Sequence, residues 1–183
     1  MRIPFLKYLS AILLFMNVVI SAQENVPEEQ APEVAEARAL EISRELSTRQ
    51  SAIENIQSDL GIYDPSLIEA YDDMGRFYSE IEDYENAIRL YTEALQISRI
   101  NTGLYSPEQI PILDSLIEAN SRNTDWQEVD DFQELHYLIN SRIYELTEIE
   151  YIAAAEIYGA WKLRVILSLI HISEPTRPRL SSY

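Results

Sequence analysis

Between residues 33 and 166 the apolar positions recur every three or four residues, which is typical of amphipathic helices. This pattern predicts a first helix from Glu33 to about Gly61, where the glycine is typical of a helix C-terminus. Two more helices are predicted at about Pro65–Ile81 and Tyr84–Ile100, with the turn at Glu82-Asp83. Long runs of helix formers and only 4 glycines favour an all-α chain over a β-sandwich.

An offset of 42 residues relates this helix pair to the segment that follows it. The junction GIYDP at Gly61–Pro65 returns as GLYSP at Gly103–Pro107. The same offset relates Ile68 to Ile110. Because a fixed period of this length indicates stacked repeats, we expect antiparallel helix hairpins that form a short α-solenoid. The expected repeats cover residues 65–106, 107–148 and 149–166, the third being truncated.

The two helices of the first repeat carry a pattern of aromatic and small residues. The first helix reads Tyr71-x-x-Met74-Gly75-x-x-Tyr78, and the second contains Ala87-x-x-x-Tyr91 followed by Ala94. The pattern resembles the tetratricopeptide repeat, and its period is similar to the long-repeat branch typified by kinesin light chain. The family's proline at the end of the second helix is replaced by Arg99, which fits a longer repeat. The resemblance implies these repeat-packing residues: Tyr71, Met74, Gly75, Tyr78, Ala87, Tyr91, Ala94 and Gly159.

Small side chains indicate where the two helices of a hairpin approach each other. Gly75 and Ala87 lie on facing helices of the first predicted hairpin, so we expect a close crossing there. The second repeat matches less well, because Val129 replaces the alanine and Gln133 the aromatic residue. The third repeat begins near Tyr151 and has a glycine 84 residues after Gly75.

The resemblance also implies a groove lined by the first helices of successive repeats. The expected groove residues are Glu69, Asp72, Arg76, Asp114, Glu118, Arg122 and Glu156. Five carboxylates and two guanidiniums would make this groove acidic, so the predicted partner is a protein or peptide with basic groups. The lysine and asparagine clamp by which some family members hold a peptide carboxylate is missing.

Charge narrows the classes of partner. The chain has 14 basic and 31 acidic residues, a net charge of −17. Such a chain is repelled by nucleic acids and by anionic membrane surfaces. Two interpretations of the negative charge remain: it attracts a basic partner, or it only keeps the surface solvated. The absence of cysteine excludes disulfides, thiolate metal sites and an N-terminal lipid on cysteine.

The N-terminus has the features of a signal peptide. Arg2 and Lys7 precede the largely apolar run Tyr8–Ile20, and Ser21-Ala22 offers a cleavage point before Gln23. We therefore expect residues 1–22 to be a signal peptide, residues 23–32 a flexible acidic linker, and the product to be exported to the periplasm. The alternative is an uncleaved anchor in the inner membrane, which is the only expected membrane association.

No motif indicates catalysis, a cofactor or a metal, so the chain is predicted not to be an enzyme. Neither a glycine-rich phosphate loop nor a helical zinc motif occurs. His136 is a lone helical histidine, which is usually a packed or solvated residue. The pairs Asp72-Asp73 and Asp130-Asp131 lack the spacing of a calcium loop.

The last 17 residues differ from the rest of the chain. They are locally basic, and Pro175 and Pro178 interrupt any helix. The segment LSLIHISEPTR at 167–177 resembles a translated sequencing-library adapter, so residues 167–183 are predicted to be non-native. We expect the third repeat to lack its second helix.

Three functions fit these patterns. The favoured one is an exported protein–protein interaction scaffold. The others are a structural module that associates with itself, and an accessory region of a longer protein whose downstream domain is missing.

Overall fold

The structure is a computed structural model that describes residues 31–173, with the side chains of residues 33–168. Within that range every regular element is helical, which confirms the predicted all-α helical-repeat fold. The predicted signal peptide, the linker up to Gln30 and the tail from Glu174 lie outside the described residues. The helices are α1 (Ala31–Leu60), α2 (Ser66–Glu80), α3 (Tyr84–Thr102), α4 (Ile110–Arg122), α5 (Trp126–Ile143) and α6 (Ile149–Ser173), with a 3-10 turn at Pro107–Gln109 before α4.

The chain divides into two units within α1. The first unit ends at Glu45, and its described residues form the exposed first half of the helix. The second unit begins at Leu46 and contains both complete hairpins, α2–α3 and α4–α5, followed by α6. Within it, each of the helices α2 to α6 packs mainly against its neighbours in sequence.

The turns inside the two hairpins have the same geometry 42 residues apart. Glu82 and Thr124 have left-handed backbones, with φ of 63° and 61°. Each precedes an aspartate, Asp83 or Asp125, whose side chain accepts from a backbone N–H of the next helix. The sequence offset therefore corresponds to a repeated local structure.

The junctions between helix pairs repeat as well. Gly61 and Gly103 both have φ in the left-handed region, at 102° and 89°. Only glycine adopts this conformation at no steric cost. Both glycines therefore end the preceding helix, as the sequence predicts.

Two clusters of buried side chains hold the repeats together. In the first, Ile53 of α1 packs with Met74 of α2 and Leu90 of α3, so the second half of α1 covers the first hairpin. In the second cluster, Tyr91 packs with Leu113 of α4 and Ile139 of α5, which joins the two hairpins. The core thus runs continuously from α1 to α5.

The repeat-packing residues differ in what they contact. Met74, Gly75, Ala87, Tyr91 and Ala94 are buried. Tyr71 and Tyr78 are partly buried against both clusters, and Gly159 is exposed. A Cβ on Gly75 would lie 2.6 Å from the ring of Tyr91, whereas a Cβ on Gly159 would have no neighbour within 4 Å. The close approach in the first hairpin is therefore absent at α6.

Helix α6 runs further than the period predicts. The first helix of the third repeat was expected to end near residue 166, but α6 continues to Ser173. In α2 the helix ends before the left-handed Glu82 and the capping Asp83. Two repeat periods later, the positions equivalent to Glu82 and Asp83 are occupied by Ile166 and Leu167. Neither residue forms such a turn or cap, so nothing stops α6 there. Among the described residues, none of the helices has both the length and the apolarity needed to cross a bilayer.

Candidate functional site

Two grooves open between successive repeats. The first, of about 440 Å³, lies between α2, the start of α3 and α4. The second, of about 720 Å³, lies between α4, the first half of α5 and α6. We call the first the charged groove; its lining includes Arg76, Glu80, Glu82, Tyr91, Glu118 and Arg122. We call the second the tryptophan groove; its lining includes Ile117, Trp126, Asp130, Asp131, Gln133 and Trp161.

The two grooves are equivalent sites in consecutive repeats. Five pairs of lining residues are related by the 42-residue offset. The pairs are Ser79 and Ser121, Tyr84 and Trp126, Tyr91 and Gln133, Ala119 and Trp161, and Arg122 and Arg164. The fold therefore forms one type of groove twice, and the side chains give each copy a different surface.

Tyr91 of α3 is a buried residue that lines the charged groove. Its ring packs over Gly75 and its side chain hydrogen-bonds with that of Ser79. Burial raises the pKa of the Tyr91 hydroxyl, and the carboxylates of Asp72 and Glu118 raise it further. Arg76 acts in the opposite direction. The net rise is due mainly to burial of the hydroxyl, and the hydrogen bond with Ser79 offsets part of it.

The two arginines of the charged groove already have acidic partners. Nε of Arg76 lies 3.6 Å from Oδ2 of Asp72, and Nη2 of Arg122 lies 3.9 Å from Oε1 of Glu118. Glu80 and Glu82 form no ion pair with any described residue. The groove thus presents unpaired carboxylates rather than unpaired guanidiniums.

Only some of the predicted groove residues meet in this groove. Arg76, Glu118 and Arg122 line it. Asp72 lies beside it, where burial raises the pKa of its carboxyl and Arg76 partly offsets that rise. The exposed Glu69 lies close enough to raise this pKa further.

Asp114 of α4 is instead directed toward α5, the other helix of its own hairpin. Its Oδ1 lies 3.5 Å from Nε2 of His136 on α5. Burial raises the pKa of Asp114, and the nearby imidazole lowers it in part. The backbone carbonyl of His136 accepts from Nδ2 of Asn140 at 2.8 Å. His136 is thus a buried residue of the α4–α5 interface.

Glu156 lies apart from both grooves. It is exposed on α6 and lines neither of them. In the helical register it is on the side of α6 away from Trp161, which faces the tryptophan groove. The sequence prediction had placed it with Asp72 and Asp114 by repeat position.

The tryptophan groove was not predicted from the sequence. The rings of Trp126 and Trp161 stack with centroids 6.4 Å apart. Nε1 of Trp161 donates to Oδ1 of Asp130 at 2.7 Å, and Nζ of Lys162 donates to the same oxygen at 2.7 Å. These hydrogen bonds lower the pKa of Asp130, and the bond to Asp130 raises the pKa of Lys162. They attach α6 to α5.

The repeat offset contained a signal for this groove. Trp126 stands where Tyr84 stands in the charged groove, and Trp161 stands where Ala119 stands. Gln133 replaces Tyr91, and its amide is smaller than the phenol ring that fills the first groove. Among the described residues, no group of acidic, histidine or cysteine side chains is arranged to hold a metal ion.

No family model matches the chain, and neither does any curated protein sequence. Among solved structures, the chain is similar to the crystal structure of BtubC (BKLC) from P. vanneervenii, with a TM-score of 0.53 and 13% identity. The match covers 78% of this chain and 63% of BtubC, so the present chain spans less than two thirds of that protein's length. At this identity the likeness concerns the fold alone.

Proposed function

We propose that this chain is an exported protein–protein interaction scaffold of the tetratricopeptide type, which binds a basic peptide or protein segment in the charged groove. The observation that carries the proposal is the excess of carboxylates there. Glu80 and Glu82 are unpaired among the described residues, whereas Arg76 and Arg122 are already paired with Asp72 and Glu118. A lysine or arginine side chain would supply the missing charge.

The groove is suited to a side chain rather than to a large folded surface. Its volume of about 440 Å³ accommodates one or two residues of an extended segment. The hydroxyl groups of Ser79, Tyr91 and Ser115 line the same space and can hydrogen-bond to a peptide backbone. A basic segment that crosses the groove would therefore find both charge and hydrogen-bond partners.

Export is the second part of the proposal, and it rests on the N-terminal sequence. Arg2, Lys7 and the apolar run Tyr8–Ile20 precede the small residues Ser21-Ala22. Mass spectrometry of exported material should find a chain that begins at Gln23. Recovery of intact Met1 in the membrane fraction would instead indicate an anchored protein.

The binding proposal is tested by charge reversal in the groove. The probe is a fluorescently labelled peptide of alternating lysine and alanine, and the readout is fluorescence anisotropy. Glu80→Lys combined with Glu118→Lys should abolish its binding. Affinity of the unaltered chain should fall as salt rises, because exposed charges are screened.

The control variant makes the same change in net charge elsewhere. Asp59→Lys combined with Glu93→Lys alters two exposed residues that lie outside both grooves. It should weaken binding only slightly. Equal losses in the two double variants would mean that general charge attracts the peptide, and the groove would lose its assigned role. A glutamate–alanine peptide should bind neither the unaltered chain nor the control variant.

A further inference from the structure

The tryptophan groove has no part in the function proposed above, and its α5 wall presents an uncovered aromatic ring. Trp126 is 55% exposed, although its ring stacks on that of the buried Trp161. In the charged groove the equivalent residue is the partly buried Tyr84. An indole is a frequent anchor for a binding partner, because it offers a broad, rigid face at little entropic cost.

Rings elsewhere in the chain show which groups lie on its aromatic faces. The guanidinium carbon of Arg142 lies 4.3 Å from the centroid of the Tyr105 ring, and that of Arg164 lies 5.9 Å from the centroid of the Trp161 six-membered ring system. Among the described residues, no cation lies over Trp126. Tryptophan is the aromatic side chain that attracts cations most strongly. The open face of Trp126 is therefore suited to a cation from another molecule.

The charged groups of the groove leave one carboxylate unpaired on the α5 side. Asp130 is neutralised, because both of its oxygens accept from Nζ of Lys162, at 2.7 and 2.9 Å. Asp131 also lines the groove and forms no ion pair with a described residue. The cation in the described lining is Arg164, which lies on α6 and opposes a second cation. A bound cation would thus find its charge partner in Asp131, on a chain of net charge −17.

Gln133 supplies a second and independent feature. Its Oε1 is buried and has no hydrogen-bond partner among the described residues, which is unfavourable for an amide oxygen. Gln133 lines the groove and lies two helical turns after Trp126 on the same face of α5. Rotation of the amide about its last side-chain bond would turn the oxygen toward the groove. A ligand that carries N–H groups would then satisfy it.

These features favour a guanidinium over an ammonium group. A guanidinium is planar, so it stacks on an indole while its five N–H groups remain available, whereas an ammonium is a compact and strongly hydrated charge. We propose that the tryptophan groove binds an arginine side chain, stacked on Trp126 and paired with Asp131. This inference rests on the proposed function, because the arginine would belong to the same basic segment that enters the charged groove.

The two grooves are close enough for one segment to reach both. Helix α4 contributes to both linings, since Glu118 faces the charged groove and Ile117 the tryptophan groove. A helix with its side chains is about 10–12 Å across, and an extended chain advances about 3.3 Å per residue. The arginine should therefore lie about three or four residues from the basic residue in the charged groove.

Peptides that differ in one head group test this assignment by fluorescence anisotropy. The probe is the lysine–alanine peptide with its central lysine replaced by arginine, and the lysines four residues away can enter the charged groove. It should bind about five- to tenfold more tightly than the lysine–alanine peptide itself. Citrulline at the same position has the shape of arginine without its charge and should give no such gain. Leucine should give none either.

Variants of Trp126 separate stacking from folding, with thermal melting as the check on the fold. Trp126→Leu should remove the preference for arginine, whereas Trp126→Phe keeps an aromatic face and should keep part of it. Both should bind the lysine–alanine peptide within about twofold of the unaltered chain. Tyr63→Leu is the control, because Tyr63 is 57% exposed and lies outside both grooves. Arg164→Gln removes the opposing cation and should strengthen binding of the arginine probe.

Tryptophan fluorescence locates the bound guanidinium. In the Trp161→Phe variant, Trp126 is the only tryptophan left in the chain. The arginine probe should protect it from quenching by acrylamide, which is uncharged and is not attracted or repelled by the peptide. The lysine–alanine peptide should protect it much less.

Three results would overturn the arginine site. Equal affinities of the arginine and lysine peptides would mean that the groove does not select a guanidinium. Tighter binding of the leucine peptide would assign the groove to an apolar side chain. An arginine preference that survives in Trp126→Leu would place the guanidinium elsewhere. In each case the lysine–alanine peptide would still report on the charged groove through Glu80→Lys and Glu118→Lys, so the two proposals fail separately.

Discussion

The ring of Tyr91 occupies the space into which a side chain at Gly75 would extend. A Cβ on Gly75 would lie 2.6 Å from Cε1 and 2.9 Å from Cδ1 of this ring. Tyr91 is only 3% exposed and cannot swing out of the interface without leaving a void. The glycine thus sets how closely α2 and α3 approach.

Gly75→Ala should therefore destabilise the protein. Overpacking of a core costs about 1–3 kcal/mol, and alanine recovers only about 1 kcal/mol through its better helix propensity. We expect the free energy of unfolding in urea to fall by about 1 kcal/mol, and to fall further in Gly75→Leu. The control is Gly159→Ala, which has open space and should gain about 0.5–1 kcal/mol. Equal stability of the two alanine variants would contradict the packing of Tyr91 on Gly75.

The attachment of α6 to α5 should depend on pH through Asp130. Hydrogen bonds from Lys162 and Trp161 lower the pKa of Asp130 below 3.8 in the folded state. A lowered folded pKa gives stability that is present above 3.8 and is lost as pH falls through the folded pKa. Asp130→Asn should cost about 1 kcal/mol or less at neutral pH, because the pair is partly exposed.

The difference in free energy of unfolding between the Asp130→Asn variant and the unaltered chain should disappear in acid. Urea unfolding at neutral pH and at a series of lower pH values measures this difference. Asp131→Asn is the control, because Asp131 is exposed beside Asp130 and has no hydrogen-bonded partner among the described residues. A constant difference at every pH would mean that the ionised carboxylate is not what holds α6.

The contribution of Asp72 to stability should depend on pH in the opposite direction to that of Asp130. Burial raises the pKa of Asp72 above 3.8, so its contribution to stability is present below 3.8 and is lost as pH rises through the folded value. Asp72→Asn should raise the free energy of unfolding at neutral pH, with no difference below pH 3.8. The same variant should weaken binding of the lysine–alanine peptide, because it removes a carboxylate beside Tyr91.

The neighbouring residue supplies the control for Asp72. Oδ2 of Asp73 lies 3.0 Å from Nε of Arg49 in α1, so Asp73→Asn should lower the free energy of unfolding. If both variants destabilise equally at neutral pH, the burial of Asp72 does not raise its pKa.

Tryptophan fluorescence should report how α6 packs, because the chain has only two tryptophans. Trp161 is 8% exposed and Trp126 is 55% exposed. Trp126→Phe should leave a blue-shifted emission that iodide quenches poorly. Trp161→Phe should leave a red-shifted emission that iodide quenches readily. Similar quenching in the two variants would contradict the position of Trp161 in the tryptophan groove.

The helix hairpins follow from the sequence because their determinants are local. Asp83 caps α3 and Gly103 ends it, so the prediction of Tyr84–Ile100 differs from the observed Tyr84–Thr102 by one half-turn. The 42-residue offset likewise predicted the second hairpin, since the same cap recurs at Asp125. The extension of α6 was missed, because its end was inferred from the period and not from a cap.

The grooves depend on contacts that local sequence does not specify. Arg76 and Glu118 share the charged groove as repeat positions suggest, but the partner of Asp114 is His136 on a different helix. The stacking of Trp126 on Trp161 joins α5 to α6, two helices that belong to different repeats. Such pairs depend on how neighbouring repeats pack, and a single repeat pattern does not determine them.

The neighbour-to-neighbour packing of the helices has a mechanical consequence. Helix α6 packs mainly on α5, whereas α4 is flanked by both α3 and α5. In a linear array each unit is held only by the units beside it, so a helix that packs on one neighbour can detach while the others stay folded. Under tension from an optical trap, the chain should lengthen in steps, and α6 should be released at lower force than the hairpins. Under load the protein would therefore extend first at α6, the helix that exposes Ile152 and Ile166.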